Sequence, residues 1–311
     1  AMEDPLFREL SAEVNKEECI RCHAPVTLRE AGFETPIARS DLREDAISCL
    51  SCHDTGDGMA GPHEGLSGAC RPVFDPQQTD VIKMCFVCHN QHDTGNEWLR
   101  GPYSPEAPEP RLRDVQTCLD CHMPSVERPL VPGGPVRKGR RHTWYGGHSI
   151  TQLRKAAELD VVTEKLPGGG HRFRVFVTNK GAGHAIPTDA RRRSFDTYVL
   201  IKDAAGKTLI NPIDPQLQDR AHLAKVRKFY RGSGTQDTQL PPLARVDTLG
   251  EGPGFVDVPT ASAGTGEAWL VYRLTPRDVL NKRSLDEGDP HDIKGLYRAR
   301  VVIRKEFTYG P

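Results

Sequence analysis

Apolar side chains follow a regular pattern mainly in the C-terminal half of the chain. There they alternate with polar residues at period two, the spacing that predicts β-strands with one buried face. The clearest alternation holds Phe173, Val175 and Val177, and again Ala299, Val301 and Ile303. Two further runs are rich in aliphatic or aromatic residues and also predict strands: Thr197 to Lys202 and Ala268 to Leu274. The glycine-containing run Ala204 to Lys207 predicts a hairpin turn. Together these signals predict an antiparallel β-sandwich domain over residues 159–311.

The N-terminal half lacks this alternation. Turn-forming pairs such as Asp75-Pro76 and Gly101-Pro102 interrupt it, so its helices should be short. The chain is 37% hydrophobic and 6% aromatic, and this half in particular is short of apolar side chains for a core. We therefore expect residues 1–158 to form a mainly irregular domain whose interior is filled by something other than side chains. Ser149 to Glu158 is expected to be a helix that leads out of it.

Eight of the nine cysteines fall into four copies of one pentapeptide, Cys-x-x-Cys-His. In chain order the copies are Cys19-Ile-Arg-Cys22-His23, Cys49-Leu-Ser-Cys52-His53, Cys85-Phe-Val-Cys88-His89 and Cys118-Leu-Asp-Cys121-His122. Two thiols three positions apart reach the two vinyl groups on one edge of a porphyrin, and the next residue then lies under the iron as an axial ligand. The motifs predict four covalently attached c-type haems, which would organise the N-terminal domain.

Other uses of paired cysteines fit the pattern less well. Zinc sites also use Cys-x-x-Cys units, but they do not require His directly after every second Cys. A disulfide framework would scatter its cysteines, and a thioredoxin-like motif would occur once, near a βαβ pattern. The ninth cysteine, Cys70, lies outside the motifs. We expect it to be a free thiol that is at least partly buried; the alternative is a disulfide between two chains.

Haem would change the charge of the protein. Lys and Arg number 42, as do Asp and Glu, so the formal charge is zero. Four oxidised haems with their propionates would add roughly −4, and four reduced ones roughly −8. Such an acidic holoprotein lacks the electrostatic signature of nucleic-acid binding. No run approaches the roughly 20 apolar residues that span a bilayer, and c-type haem predicts an exported protein, periplasmic or extracellular at the cell surface.

The second axial ligand of each iron has to come from outside the motifs. Met123 directly follows a motif histidine and cannot easily reach the opposite face of the same haem. Histidine is therefore the expected ligand, giving mostly bis-His, low-spin irons of low potential that are closed to substrate. The candidate ligands are His63 in a Gly/Pro-rich loop, His92, which would reach a neighbouring haem, His142 and His148 near the end of the haem domain, and His184.

Three further predictions concern polar residues outside the motifs. His184 lies in a loop after a predicted strand, where it is either a structural turn residue or an axial ligand given to a haem of its own or a neighbouring subunit. The Pro/Gly-rich stretch Pro129 to Pro135, with the basic run Arg137 to Arg141 that follows it, is expected to be a solvated loop; the alternative is that its arginines pair with haem propionates. We expect His171, His222 and His291 to lie on the surface.

The motifs, together with two shorter segments, resemble a known group of proteins. These segments are Arg-His-Thr-Trp-Tyr-Gly-Gly-His at 141–148 and Gly-Ala-Gly-His-Ala-Ile-Pro-Thr at 181–188. They are similar to those of multihaem cytochromes related to the tetrahaem electron acceptor of hydroxylamine oxidation. A β domain behind four haems also resembles the extracellular tetrahaem cytochromes that polymerise into conductive filaments. The resemblance covers roughly the first 190 residues and implies stacked haems, bis-His ligation and electron transfer.

Two functions from different classes follow. The first is an electron carrier without enzymatic activity, which exchanges electrons with redox partner proteins and assembles as a homo-oligomer or filament. The second is a multihaem oxidoreductase that acts on a small nitrogen or oxyanion substrate at an open haem. The chain has eight histidines besides the four in the motifs, enough to close all four irons. This surplus favours the electron carrier.

Overall fold

The computed structural model describes residues 16–56, 58–60, 72–73, 81–90, 93–107, 109, 113–129, 132–188, 193–211, 225–230, 239–246, 252–259, 262–274 and 299–310. The chain divides into two compact units. The first consists of Ala1–Asn96 and Val115–Trp144, and the second of Glu97–Asp114 and Tyr145–Pro311. The predicted domain boundary at residue 158 stays a prediction.

Short helices make up most of the regular structure described in the first unit. They are α1 (Lys16–His23), α2 (Cys49–His53), α3 (Val81–His89), α4 (Thr94–Leu99, which runs on into the second unit) and α5 (Cys118–His122), with a 3₁₀ turn at Arg43–Asp45. Two residue pairs, β1 (Met59–Ala60) and β2 (Pro72–Val73), form a small parallel ladder. The few buried apolar side chains described here are Ile20, Ala24, Leu28, Val87 and Met123.

The basic run after the fourth motif forms a strand and not a loop. Strand β4 (Val136–Arg140) pairs antiparallel with β3 (Ser125–Pro129) in a two-stranded hairpin. The solvated-loop expectation is therefore wrong for this run. Pairing with β3 satisfies its backbone groups, and the long basic side chains project from the ladder.

The second unit contains two antiparallel sheets. In the first sheet, β6 (His171–Asn179) is central: β5 (Ala157–Lys165) pairs with one edge, and β10 (Arg245–Val246) and β11 (Phe255–Val258) pair with the other. In the second sheet, β7 (Ser194–Asp203) and β12 (Gly264–Arg273) are central. Strand β13 (Arg300–Tyr309) pairs with β12, whereas β8 (Thr208–Ile210) and β9 (Lys225–Tyr230) pair with β7.

Both sheets contribute side chains to one hydrophobic core. Leu159, Val175 and Val177 come from the first sheet, and Val199, Leu270 and Val302 from the second. Helix α6 (Ile150–Ala156), capped by Ser149, adds Leu153 to this core. It ends before Glu158, which already belongs to β5. The antiparallel sheets and short helices predicted from sequence are confirmed.

Strand β13 departs from its predicted alternation. Ala299, Val301 and Ile303 were expected on the buried face, but Val302 is fully buried and its two neighbours are only partly so. The cause is a β-bulge: Leu270 of β12 pairs with Ile303 and Val271 pairs with Val301, so Val302 has no direct partner. An extra residue at a bulge reverses the alternation beyond it.

The predicted hairpin turn is confirmed between β7 and β8. Asp203 accepts hydrogen bonds at Oδ1 from the backbone N–H groups of Ala205 and Lys207, at 3.0 and 2.9 Å. Gly206 adopts a positive φ of 81°, which glycine reaches without steric cost. Among the described residues, no helix has the length and apolar character that crossing a membrane requires.

Candidate haem-attachment sites

Each Cys-x-x-Cys-His motif lies at the end of a helix, with its histidine as the last helical residue. Helices α1, α2, α3 and α5 end at His23, His53, His89 and His122. Residues three apart lie on the same face of a helix, so the two thiols of one motif point the same way. None of the eight motif cysteines forms a disulfide. Two thiols and one imidazole per helix end are the donor set that haem c requires, so these residues fit the group.

Capping boxes fix the two shortest motif helices. In α2, the backbone N–H of Ser48 donates to Ser51 Oγ at 3.2 Å. In α5, both the N–H and the hydroxyl of Thr117 donate to Asp120 Oδ2 at 2.8 Å. Both helices have only five residues, too few to persist without such contacts. This role was not predicted from the sequence: Ser48 and Thr117 are the expected cap residues, but Ser51 and Asp120 stand where the usual signature has Glu or Gln.

Asp120 is held by a second partner. Arg140 Nη1, at the end of β4, donates to Asp120 Oδ1 at 2.9 Å. Partial burial alone would raise the pKa of this carboxyl group, but the hydrogen bonds from Thr117 and Arg140 outweigh it and lower the pKa below its ordinary value. The β3–β4 hairpin is thereby tied to the helix that carries the fourth motif.

Thiols of different motifs lie next to one another in the first unit. Cys85 forms a hydrogen bond with the Cys118 thiol, and this contact, together with burial, raises the pKa of Cys85. Cys88 likewise contacts Cys22, which raises the pKa of Cys88. Cys52 is near enough to both α3 cysteines to disfavour their ionisation further. The thiols of helix α3 therefore lie near a thiol of each of the other three motifs.

His142 lies beside a motif histidine. Its ring centroid is 6.0 Å from that of His53, with the two planes inclined at 48°. Nδ1 of His142 is 3.0 Å from the backbone carbonyl oxygen of Arg140. Trp144 approaches the same ring edge-on at 6.2 Å. His142, one of the histidines predicted as second axial ligands, therefore lies beside a motif histidine of the first unit.

His148 and His184 both belong to the second unit. The carbonyl oxygen of His148 accepts a hydrogen bond from Arg300 Nη1 at 2.7 Å, and its side chain is exposed. His184 is half-buried, with Nδ1 3.0 Å from the carbonyl oxygen of Ala185. Asn179 Nδ2 donates to the His184 carbonyl at 2.9 Å, and the Ala185 N–H donates to Glu97 at 2.9 Å. Whether either residue binds iron stays a prediction.

The expectation that His171 lies on the surface is wrong. It is 3% exposed and packs edge-on against Tyr309 at 5.1 Å. Its Nε2 is 3.1 Å from the carbonyl oxygen of Gly310. A signal for this was present in the sequence, because His171 has the same strand parity as Phe173 and Val175.

Several predicted residues lie outside the described residues. These are His63, His92, Cys70, His222 and His291. Where the structure does describe the chain, no three His, Cys, Asp or Glu side chains converge as a site for a single metal ion.

Comparison with solved structures finds a related fold. The crystal structure of a penta-heme cytochrome c552 from Thermochromatium tepidum is similar to this chain, with a TM-score of 0.61 and 19% sequence identity. The likeness covers 93% of this chain and 83% of that one. No protein-family model and no curated protein sequence matches. At this level of identity the likeness shows a shared fold.

Proposed function

We propose that the chain is an exported tetrahaem c-type cytochrome that transfers electrons. One observation carries the proposal: four helices each end on a complete Cys-x-x-Cys-His motif, and thiols of all four motifs lie near helix α3. The fold shared with a penta-heme cytochrome supports it. That protein is described as having five haems, whereas this chain has four motifs.

Under this proposal each residue type has a separate task. The eight motif cysteines would hold the haems covalently, and His23, His53, His89 and His122 would each give one ligand to an iron. When bound, haem supplies one-electron redox chemistry at its iron. The protein supplies the spacing, the ligands and the dry surroundings that set each potential.

The thiol contacts also support an order of the haems. Cys88 lies against Cys22 of the first motif, and Cys85 lies against Cys118 of the fourth. Attachment of haem at these thiols would place the third haem next to the first and the fourth. We expect electrons to pass through the third site, since transfer is fastest between neighbouring haem edges.

The function is tested by low-temperature EPR of the fully oxidised protein. We expect low-spin ferric signals that account for all four haems and do not change when nitrite or hydroxylamine is added. A substantial high-spin ferric signal that shifts with either compound would instead support the oxidoreductase, because catalysis at haem needs an open axial position.

We further propose that the second unit docks redox partners or a second copy of the chain, up to a homo-oligomer or filament outside the cytoplasm. The His184 loop is held in place by Asn179 and Glu97, as a contact surface requires. Arg193, which follows the loop, would attract acidic haem propionates. Sedimentation of His184→Ala beside wild type tests this: equal assembly and unchanged low-spin signals would refute a role for His184.

A further inference from the structure

We propose that His142 is the second axial ligand of the iron bound through His53, which makes the second motif a closed bis-histidine site. The inference rests on the proposed function, since it requires haem at Cys49 and Cys52. It goes further by assigning one particular histidine to one particular iron.

The separation of the two rings carries the assignment. Two imidazoles on opposite sides of a metal ion have ring centroids about 6.2 Å apart, given metal–nitrogen bonds of about 2.0 Å and centroids about 1.1 Å behind each nitrogen. The centroids of His53 and His142 are 6.0 Å apart. The observed separation therefore matches that of two imidazoles bound to one iron.

The orientation of His142 agrees with a role as ligand. Its Nδ1 lies 3.0 Å from the Arg140 carbonyl oxygen, to which it would donate a proton. This tautomer puts the lone pair on Nε2, the nitrogen that faces away from the backbone. Histidines that bind metals are commonly held in this way, through a hydrogen bond from the other ring nitrogen to a carbonyl oxygen.

The two residues before His142 are both held in place by contacts with the chain around the fourth motif. Arg140 forms an ion pair with Asp120 at 2.9 Å, and the Arg141 N–H donates to the carbonyl oxygen of Pro124 at 3.0 Å. The hairpin that follows the fourth motif thus positions His142 next to the histidine of the second motif. Sequence separation hides this link, because 88 residues lie between His53 and His142 in the chain.

Exposed apolar side chains next to both histidines fit a bound macrocycle. Leu50 of the second motif is 50% exposed and Trp144 is 54% exposed. Large apolar groups with this exposure are what a flat, apolar porphyrin would cover. The iron would then have two imidazole ligands, no open position, and a lower potential than with a histidine and a methionine.

The first test replaces His142 with alanine, with Thr143→Ala, an exposed neighbour, as matched control. Intact mass should show that both variants keep four haems. In His142→Ala we expect one haem equivalent to change from low-spin to high-spin in the EPR spectrum, and added imidazole to restore it. Thr143→Ala should match wild type. Four attached haems with unchanged low-spin signals in His142→Ala would overturn the inference and leave the proposed function standing.

The second test identifies the iron. In a variant with Cys49→Ser and Cys52→Ser, which lacks the second haem, adding His142→Ala should create no high-spin signal. A new high-spin signal on that background would show that His142 binds another iron. If the serine variant does not accumulate, the variant His142→Met identifies the iron instead. A near-infrared Met–Fe band that disappears on adding His53→Ala supports the assignment, and its absence or persistence overturns it.

Discussion

Asp120 offers a test of how a five-residue motif helix is held in place. The change Asp120→Ala removes the acceptor for both hydrogen bonds from Thr117 and the ion pair with Arg140. Losing a helix cap costs about 1 kcal/mol, and losing an exposed ion pair adds about 0.5 kcal/mol. The carboxylate is partly exposed, so the ion pair counts for less than its short distance suggests. We expect a loss of about 1–1.5 kcal/mol in the local stability of α5.

Hydrogen exchange read by mass spectrometry measures this locally. The peptide that contains residues 113–124 should exchange roughly five to ten times faster in Asp120→Ala than in wild type, since 1.4 kcal/mol is a factor of ten. The peptide with Ser48 to His53 serves as internal control and should not change. Asp41→Ala, another exposed carboxylate of the first unit, controls for loss of charge.

The effect should depend on pH in one direction. The folded-state pKa of Asp120 is lowered, so its carboxylate stabilises the fold above the unfolded pKa of about 4 and loses this effect as pH falls through the folded pKa. The difference between wild type and Asp120→Asn should therefore narrow below about pH 4. Equal exchange of the 113–124 peptide in wild type and Asp120→Ala at pH 7 would refute the capping argument, and a difference that grows in acid would refute the pKa argument.

Two further predictions concern packing and charge. Gly95→Ala would put a methyl group 2.6 Å from the ring of Phe86, within the third motif. We expect the free energy of unfolding in urea to fall by about 1–3 kcal/mol and a low-spin EPR signal to shift. The control Gly139→Ala, with open space around it, should have little effect on either. Equal losses in the two variants would refute the contact with Phe86. Asp196→Ala leaves the buried Arg273 without its 3.2 Å ion-pair partner and should cost about 3–5 kcal/mol. The control Asp257→Ala breaks a more exposed pair and should cost at most about 1 kcal/mol; similar losses of unfolding free energy in the two variants would contradict the role of burial.

The features that could be predicted from sequence are those encoded by neighbouring residues. The haem motifs place two thiols and an imidazole within five positions, so their chemistry can be recognised without a fold. The strand around Phe173 was predicted because its apolar side chains alternate within one element, and β6 shows that alternation. The turn at Gly206 was predicted on the same local basis.

The features that sequence did not reveal depend on contacts with residues outside the element itself. The bulge at Val302 is set by the register of β12, about 30 residues earlier. The basic run became strand β4 because β3 is available to pair with it. The approach of His142 to His53 requires that the hairpin bring the chain back to the second motif, and no local pattern encodes that return.

The central claim, four covalent haems on one exported chain, is tested most directly by the intact mass of the mature protein after denaturation. The account predicts the polypeptide mass plus four haem masses, and loss of one haem when both cysteines of any single motif are replaced. A properly matured sample with three or fewer haems would contradict it.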